Sequence, residues 1–168
     1  MVDVVIRPPR RDDGADLARV HLDACRYYHD LDPDAFQVPA TDGLADWFEA
    51  SARRDQDPET LRLVAVVDGT VVGIVVAHLE SPHPEADKQL PRDLGRIRLH
   101  VDALSVGESA RRSGVATQLM RAAEEWGRRH GATVALLETY GASPLSVPFY
   151  EQRMGYDRHA VIFRKRLT

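Results

Sequence analysis

Three groups of residues in this chain have types and spacings suited to chemistry. Arg111-Arg112-Ser113-Gly114-Val115-Ala116 lies between a strand-like run, Arg96 to Val106, and a helix-like run, Ala116 to His130. A glycine at that place lets the backbone turn with positive φ and leaves no side chain in the way of a ligand. The unpaired N–H groups of the helix start then point outward, with the positive end of the helix dipole behind them. Arg111 and Arg112 add two formal charges, so the chemistry is that of a diphosphate cradle. The hexapeptide matches neither the dinucleotide fingerprint nor the P-loop. His100 and Asp102 form the second group. Spaced by two in a strand, they share a face and lie within about 7 Å of each other. A carboxylate beside an imidazole raises its pKa and fixes its tautomer, which prepares a base. Tyr150 is the third. A phenol with a pKa near ~10 can donate a proton to a leaving group. Taken alone, the turn is equally a plain connection, the pair a solvated strand face and Tyr150 a core tyrosine.

The elements that must position these residues follow from periodicity. Val2 to Arg7 is β-branched and stops at Pro8-Pro9. Asp12 or Asp13 caps a helix to about His29, with Leu17, Val20, His21 and Ala24 on one stripe. Thr41-Asp42-Gly43 starts a second helix with Leu44, Trp47 and Phe48 on one face, ending before Asp57-Pro58. Leu61 to Val67 and Val71 to Leu79 flank Asp68-Gly69-Thr70, a hairpin signal. Residues 80–95 are proline-rich and charged and form a loop. Val115, Leu119, Ala123 and Trp126 give the helix after the cradle one buried face, and His130-Gly131 ends it. Thr133 to Thr139 is a buried strand, Pro144 to Arg153 a short helix, and His159 to Leu167 a final strand. Pro144 suits a first helical position, whereas Pro148 does not suit an interior one. A helix beginning at Ser146 instead puts Pro148 in its first turn.

Composition narrows the function classes. The 168 residues suffice for one domain with a real core, and 43% hydrophobic with 29% charged residues is ordinary for a globular protein. The single cysteine, Cys25, excludes an internal disulfide and a cysteine zinc cluster. The histidines show no metal-ligand spacing, so no metal is expected. A net charge of −4 argues against a nucleic-acid binder. No apolar run reaches the ~20 residues of a membrane span, and the N-terminus lacks a signal-peptide layout, so no membrane association and a cytoplasmic location are expected. Residues 30–60 carry nine acidic side chains against two arginines, whereas the tail from Arg153 is basic. Acidic residues around a cleft would draw in a cationic amine; a solvated helix face is the plainer reading.

Arg111, Gly114 and Ala116 match Gln/Arg-x-x-Gly-x-Gly/Ala, the acyl-CoA pyrophosphate motif of the GCN5-related N-acetyltransferases. With Phe149-Tyr150 and Gly155-Tyr156 at similar spacing, the chain resembles this GNAT family over most of its length, most strongly from Leu99 to Tyr156. The resemblance implies a single α+β domain over 1–168, with a mixed, mostly antiparallel sheet of six to seven strands flanked by four helices. It implies acetyl-CoA as co-substrate, direct acetyl transfer to a primary amine of a small molecule, peptide or protein, and homodimerisation as common. It assigns acyl-CoA binding to Arg111, Arg112, Ser113, Gly114, Val115 and Ala116, and to the main chain of Leu104, Ser105 and Val106 on a bulged strand that splays from its neighbour. Family members place Glu or His eleven residues before the motif arginine as a base, where His100 stands, with Asp102 a second candidate. Tyr150 takes the place of the general acid. Ser143 stands where relatives have a cofactor-contacting Asn. An acyl-CoA sensor or interaction domain without turnover, and a binder of another phosphorylated ligand, are the alternatives.

Overall fold

The β-branched runs and turn residues fold into five strands and four helices in a computed structural model, which describes residues 3–54 and 57–167. Two compact units are present, Met1–Glu138 and Thr139–Thr168. In the first, β1 (Val5–Arg7) leads through a short 3-10 turn to α1 (Gly14–Leu31) and α2 (Leu44–Arg54). Then come β2 (Thr60–Val67), β3 (Thr70–Glu80), β4 (Arg98–Val106), α3 (Val115–Arg129) and β5 (Val134–Leu137). The sheet order is β1-β2-β3-β4-β5; neighbours are antiparallel except β4 and β5, which run parallel. The architecture is thus the expected α+β fold with a mixed, mostly antiparallel sheet.

The hairpin forms where its turn chemistry puts it. Asp68 and Gly69 both take positive φ, as a two-residue type I′ turn between β2 and β3 requires. Adjacent residues of β3 project to opposite faces, and each face receives its own helices. A side chain at Gly73 would meet Leu119 and Val115 of α3, whereas Ile74 packs in the cluster of Leu17, Phe48, Val64 and Val71 beneath α1 and α2. The core is completed by Val20, Val75, Leu99, Met120 and Ala123, all nearly or wholly buried. A bulge between Ala65 and Val66 leaves Val72 as the extra residue of β3. Beside the bulge, α1 bonds to Val71: Asp16 accepts the Val71 N–H at 2.9 Å and Arg19 donates to the Val71 carbonyl at 2.8 Å.

Several boundaries differ from expectation. Asp13 stands at the N-cap of α1 but does not cap it, because its carboxylate is taken by Arg7, at 2.7 and 2.8 Å, and by the Arg10 N–H. The expected start of β1 at Val2 lies outside the described residues. Trp47 is 54% exposed rather than buried, its ring set edge-on against Phe48. The loop over 80–95 contains two short 3-10 turns, and β4 starts at Arg98.

The second unit holds α4 (Ser146–Pro148), which continues as a π-helical turn over Phe149–Arg153. Ser143 accepts the Ser146 N–H on Oγ at 3.0 Å, so the helix starts at Ser146 and Pro148 falls in its first turn, where a missing N–H costs little. The next bond is i→i−5, from Met154 N–H to the Phe149 carbonyl. The expected final strand, His159 to Leu167, has no ladder in this unit. A strand needs a neighbour, and the described residues of this unit contain no strand to supply one.

Candidate active site

The geometry around β4 begins with a bulge. Val76 pairs with Ala103 and Ala77 with Val101, which leaves Asp102 as the extra residue. Burial alternates along β4 up to Asp102 and breaks there: Leu99 and Val101 are buried, whereas Asp102 and Ala103 are both exposed. Bulges re-aim a side chain and bend the strand that carries them. The parallel ladder to β5 covers only Arg98 to Val101, while β4 runs on to Val106. Leu104, Ser105 and Val106 therefore pair with Val75, Ile74 and Gly73 on one side, and on the other they join no ladder among the described residues. An open main-chain edge of this kind accepts an added extended ligand.

After Val106 the chain makes one 3-10 turn, Glu108–Ala110, and reaches the hexapeptide. Arg112 and Gly114 take positive φ, +63° and +88°, and a Cβ at Gly114 would have nothing within 4 Å. Gly114 is the N-cap of α3 and offers no side-chain cap; the first intrahelical bond is from the Gln118 N–H to the Gly114 carbonyl. The first-turn N–H groups of Val115, Ala116 and Thr117 thus lie ahead of the first intrahelical bond, as the donors of an anion site must. Ser113 donates from Oγ to the Ala110 carbonyl and tightens the turn. The two arginines divide. Arg111 donates to the Asp23 carbonyl at 3.1 Å and lies over the Tyr27 ring at 5.3 Å, so its charge is tied to α1; Arg112 is exposed.

His100 and Asp102 meet as expected, Nδ1 to Oδ1 at 3.1 Å. A third residue joins them. β3 places His78 directly opposite His100, and His78 Nδ1 lies 2.8 Å from the other Asp102 oxygen, Oδ2. One carboxylate thus holds two imidazoles, whose rings are 5.2 Å apart. The hydrogen bond that His78 donates to Asp102 raises the His78 pKa above the ordinary imidazole value, against a smaller lowering by burial, and Glu80 adds to the rise. Glu80 Oε1 is 3.7 Å from His78 Nε2, and its Oε2 is 3.2 Å from Arg98, which also donates to the Ser81 carbonyl. Ligand atoms of His78, His100 and Asp102 all lie within 4.8 Å of one another, a clustering that sequence spacing does not reveal. A cation would have to displace both Nδ1 protons to use them, since each Asp102 oxygen already accepts one. His78 and Glu80 are the residues missed at the sequence level; the signal lies in the strand register.

In the second unit, Tyr150 sits on the π-helical turn with its ring 5.1 Å from Phe149 and 6.0 Å from Tyr156, and its carbonyl accepts the Tyr156 N–H. Ser143 is buried, caps α4 and donates its own N–H to the Tyr140 carbonyl.

Similar folds occur in solved structures. A tetramutant of the BH1408 protein from Bacillus halodurans superposes with a TM-score of 0.79 at 21% identity, covering 97% of this chain and 99% of that one. The aminoglycoside N-acetyltransferase AAC(6')-Iy in complex with CoA gives 0.65 at 18%, covering 99% and 97%. An aminoglycoside acetyltransferase from an uncultured soil metagenomic sample, in complex with sisomicin, gives 0.61 at 12%, covering 98% and 97%. No curated protein sequence matches the chain. The Acetyltransferase (GNAT) family matches residues 21–156, which span β4, the turn, α3 and the Phe149-Tyr150 pair, and the chain belongs to that family.

Proposed function

We propose that the protein is an acetyl-CoA-dependent N-acetyltransferase that passes the acetyl group directly to a primary amine, with residues 1–168 acting as one domain. The observation that carries this reading is the uncapped start of α3 at Gly114, beside a β4 edge that leaves β5 after Val101. In this reading the main-chain N–H groups from Arg111 to Ala116 bind the pyrophosphate, with Arg112 adding charge. Leu104, Ser105 and Val106 pair with the pantetheine arm, and one of their N–H groups polarises the thioester carbonyl. Losing such an aimed donor costs roughly 10²–10³ in rate. His100, oriented by Asp102, takes the amine proton, directly or through water. The nitrogen lone pair attacks the carbonyl carbon, the C–S bond breaks, and Tyr150 protonates the thiolate. Ser143 contributes a cofactor contact from the start of α4. The acidic excess over residues 30–60 favours a cationic acceptor, whether a small molecule or a basic peptide. The CoA and sisomicin complexes of the two aminoglycoside enzymes support the donor and the amine class.

Calorimetric titration with acetyl-CoA, followed by a mass-spectrometric screen of amines, tests the reading. Binding with acetylation of at least one amine is expected. Stabilisation by nucleotides but not CoA would point to another phosphorylated ligand, and CoA binding with no acetylation of any amine to a sensor. Tyr150→Phe is expected to lower kcat by on the order of 10²-fold with the acetyl-CoA Kd unchanged. An unaltered kcat removes Tyr150 as the acid.

A further inference from the structure

We propose that His78 is a positioning residue for the base, acting through Asp102 to hold His100 with its Nε2 free to take a proton, and is itself held by Glu80 and Arg98. The inference rests on the acetyltransferase reading above and names a residue of that site which neither the sequence motifs nor the family match assigns.

An ionised carboxylate can only accept hydrogen bonds, so both imidazoles bonded to Asp102 carry their proton on Nδ1. A neutral His100 then has its lone pair on Nε2, which is the tautomer a base needs. Asp102 is the extra residue of a bulge, unpaired with β3, so the ladder does little to hold it. The two rings hold it instead, one on each oxygen. His78 is placed by register, opposite His100, and its Nε2 faces Glu80, which Arg98 anchors at 3.2 Å. Arg98–Glu80–His78–Asp102–His100 thus form one continuous line of polar side chains across β3 and β4.

The charges around this line are few. On the β2 side the register puts Thr60 opposite His78 and Arg62 one step along the same face; on the β5 side it puts Leu136 opposite His100. α1 and α2 pack over the other end of that face, on Val64, Val71 and Ile74, through Leu17 and Phe48. His78 shares the Asp102 carboxylate that would otherwise serve His100 alone, and its bond to Asp102 raises the His78 pKa above the ordinary imidazole value. In the transfer step the amine proton goes to His100 Nε2 while the Nδ1 proton stays in the Asp102 bond. The nitrogen acylates, and the thiolate leaves with a proton from the acid.

The test is the pH dependence of kcat/KM for His78→Ala and His78→Asn, each with and without His100→Ala, together with 15N NMR of the histidine rings. His78→Ala is expected to lower kcat on the order of tenfold with the acetyl-CoA KM unchanged. The acid limb of its kcat/KM profile should change, since Asp102 then holds one imidazole in place of two. Asn at position 78 keeps a donor near the Nδ1 position without a charge, so it should restore part of kcat but not the position of the limb. In the His100→Ala background, loss of His78 should add less than twofold, because His78 acts through His100. In the wild type the neutral His100 ring should carry its proton on Nδ1. An unmoved acid limb, or an equal loss in both backgrounds, overturns the proposal. A wild-type His100 protonated on Nε2 overturns it independently of activity. Full activity in His100→Ala removes the base assignment and the role of His78 with it, and the tautomer measurement separates that outcome from a wrong geometry.

Discussion

Arg111 and Arg112 are adjacent in sequence and do different work. Arg111 spends its guanidinium on the Asp23 carbonyl and the Tyr27 ring, so it ties the turn to α1. Arg112 is exposed and held at φ +63°, a conformation that costs a non-glycine residue roughly 1–2 kcal/mol. Arg111→Ala should therefore lower stability by about 1–2 kcal/mol, the scale of a charged hydrogen bond with a cation–π contact. Arg112→Gly should weaken acetyl-CoA binding several-fold while raising stability by up to about 1 kcal/mol. Thermal unfolding and calorimetry on the two variants check the division; matching effects would show that the arginines act alike. The same scale explains what was legible at the base. His100 and Asp102 sit two apart in one strand, so alternation alone brings them together. His78 is separated from them by a long loop, and only the β3–β4 register makes it their neighbour.

The turn into α3 is an element whose chemistry can be read from its residues. Gly114 is at φ +88° with open space where a Cβ would stand, so Gly114→Ala meets backbone strain and no clash. The expected result is a loss of about 1 kcal/mol in stability and a larger proportional loss of acetyl-CoA affinity, because the strain is relieved by moving the first-turn N–H groups. Unchanged affinity in calorimetry would show that those groups do not bind the cofactor. The Asp68-Gly69 hairpin and the His130-Gly131 helix end form as their residues dictate, because turn type and αL caps are local requirements. The bulge at Asp102 was not legible in the residues themselves. No local signal marks a bulge in Leu99 to Val106, since it arises from how β3 pairs. The shift from α to π geometry after Pro148 is likewise a packing outcome.

At the scale of the molecule, the N-terminal strand is locked to the start of α1 by Arg7 and Asp13. The Arg7 guanidinium, with the Arg10 N–H, holds the Asp13 carboxyl below its ordinary value despite burial. A carboxyl whose pKa is lower folded than unfolded contributes stability above its unfolded pKa and loses it as pH falls through the folded one. Stability should therefore drop on acidification below about pH 4, and Asp13→Asn should be less stable at neutral pH with the difference narrowing below that range. Denaturant midpoints at pH 7 and pH 3 measure it; a constant difference would refute the linkage. Among the described residues, no helix is long and apolar enough to cross a membrane.

Sequence alone determined the element order as far as α4, the hairpin, the Gly114 turn into α3 and the family, because each depends on contacts within a few residues or on a motif. Tertiary structure alone decided two further matters. It tied Arg111 to α1 and left Arg112 exposed, and it brought His78 and Glu80 to Asp102. Each of these rests on register or packing between segments far apart in the chain, and residue spacing carries no record of either.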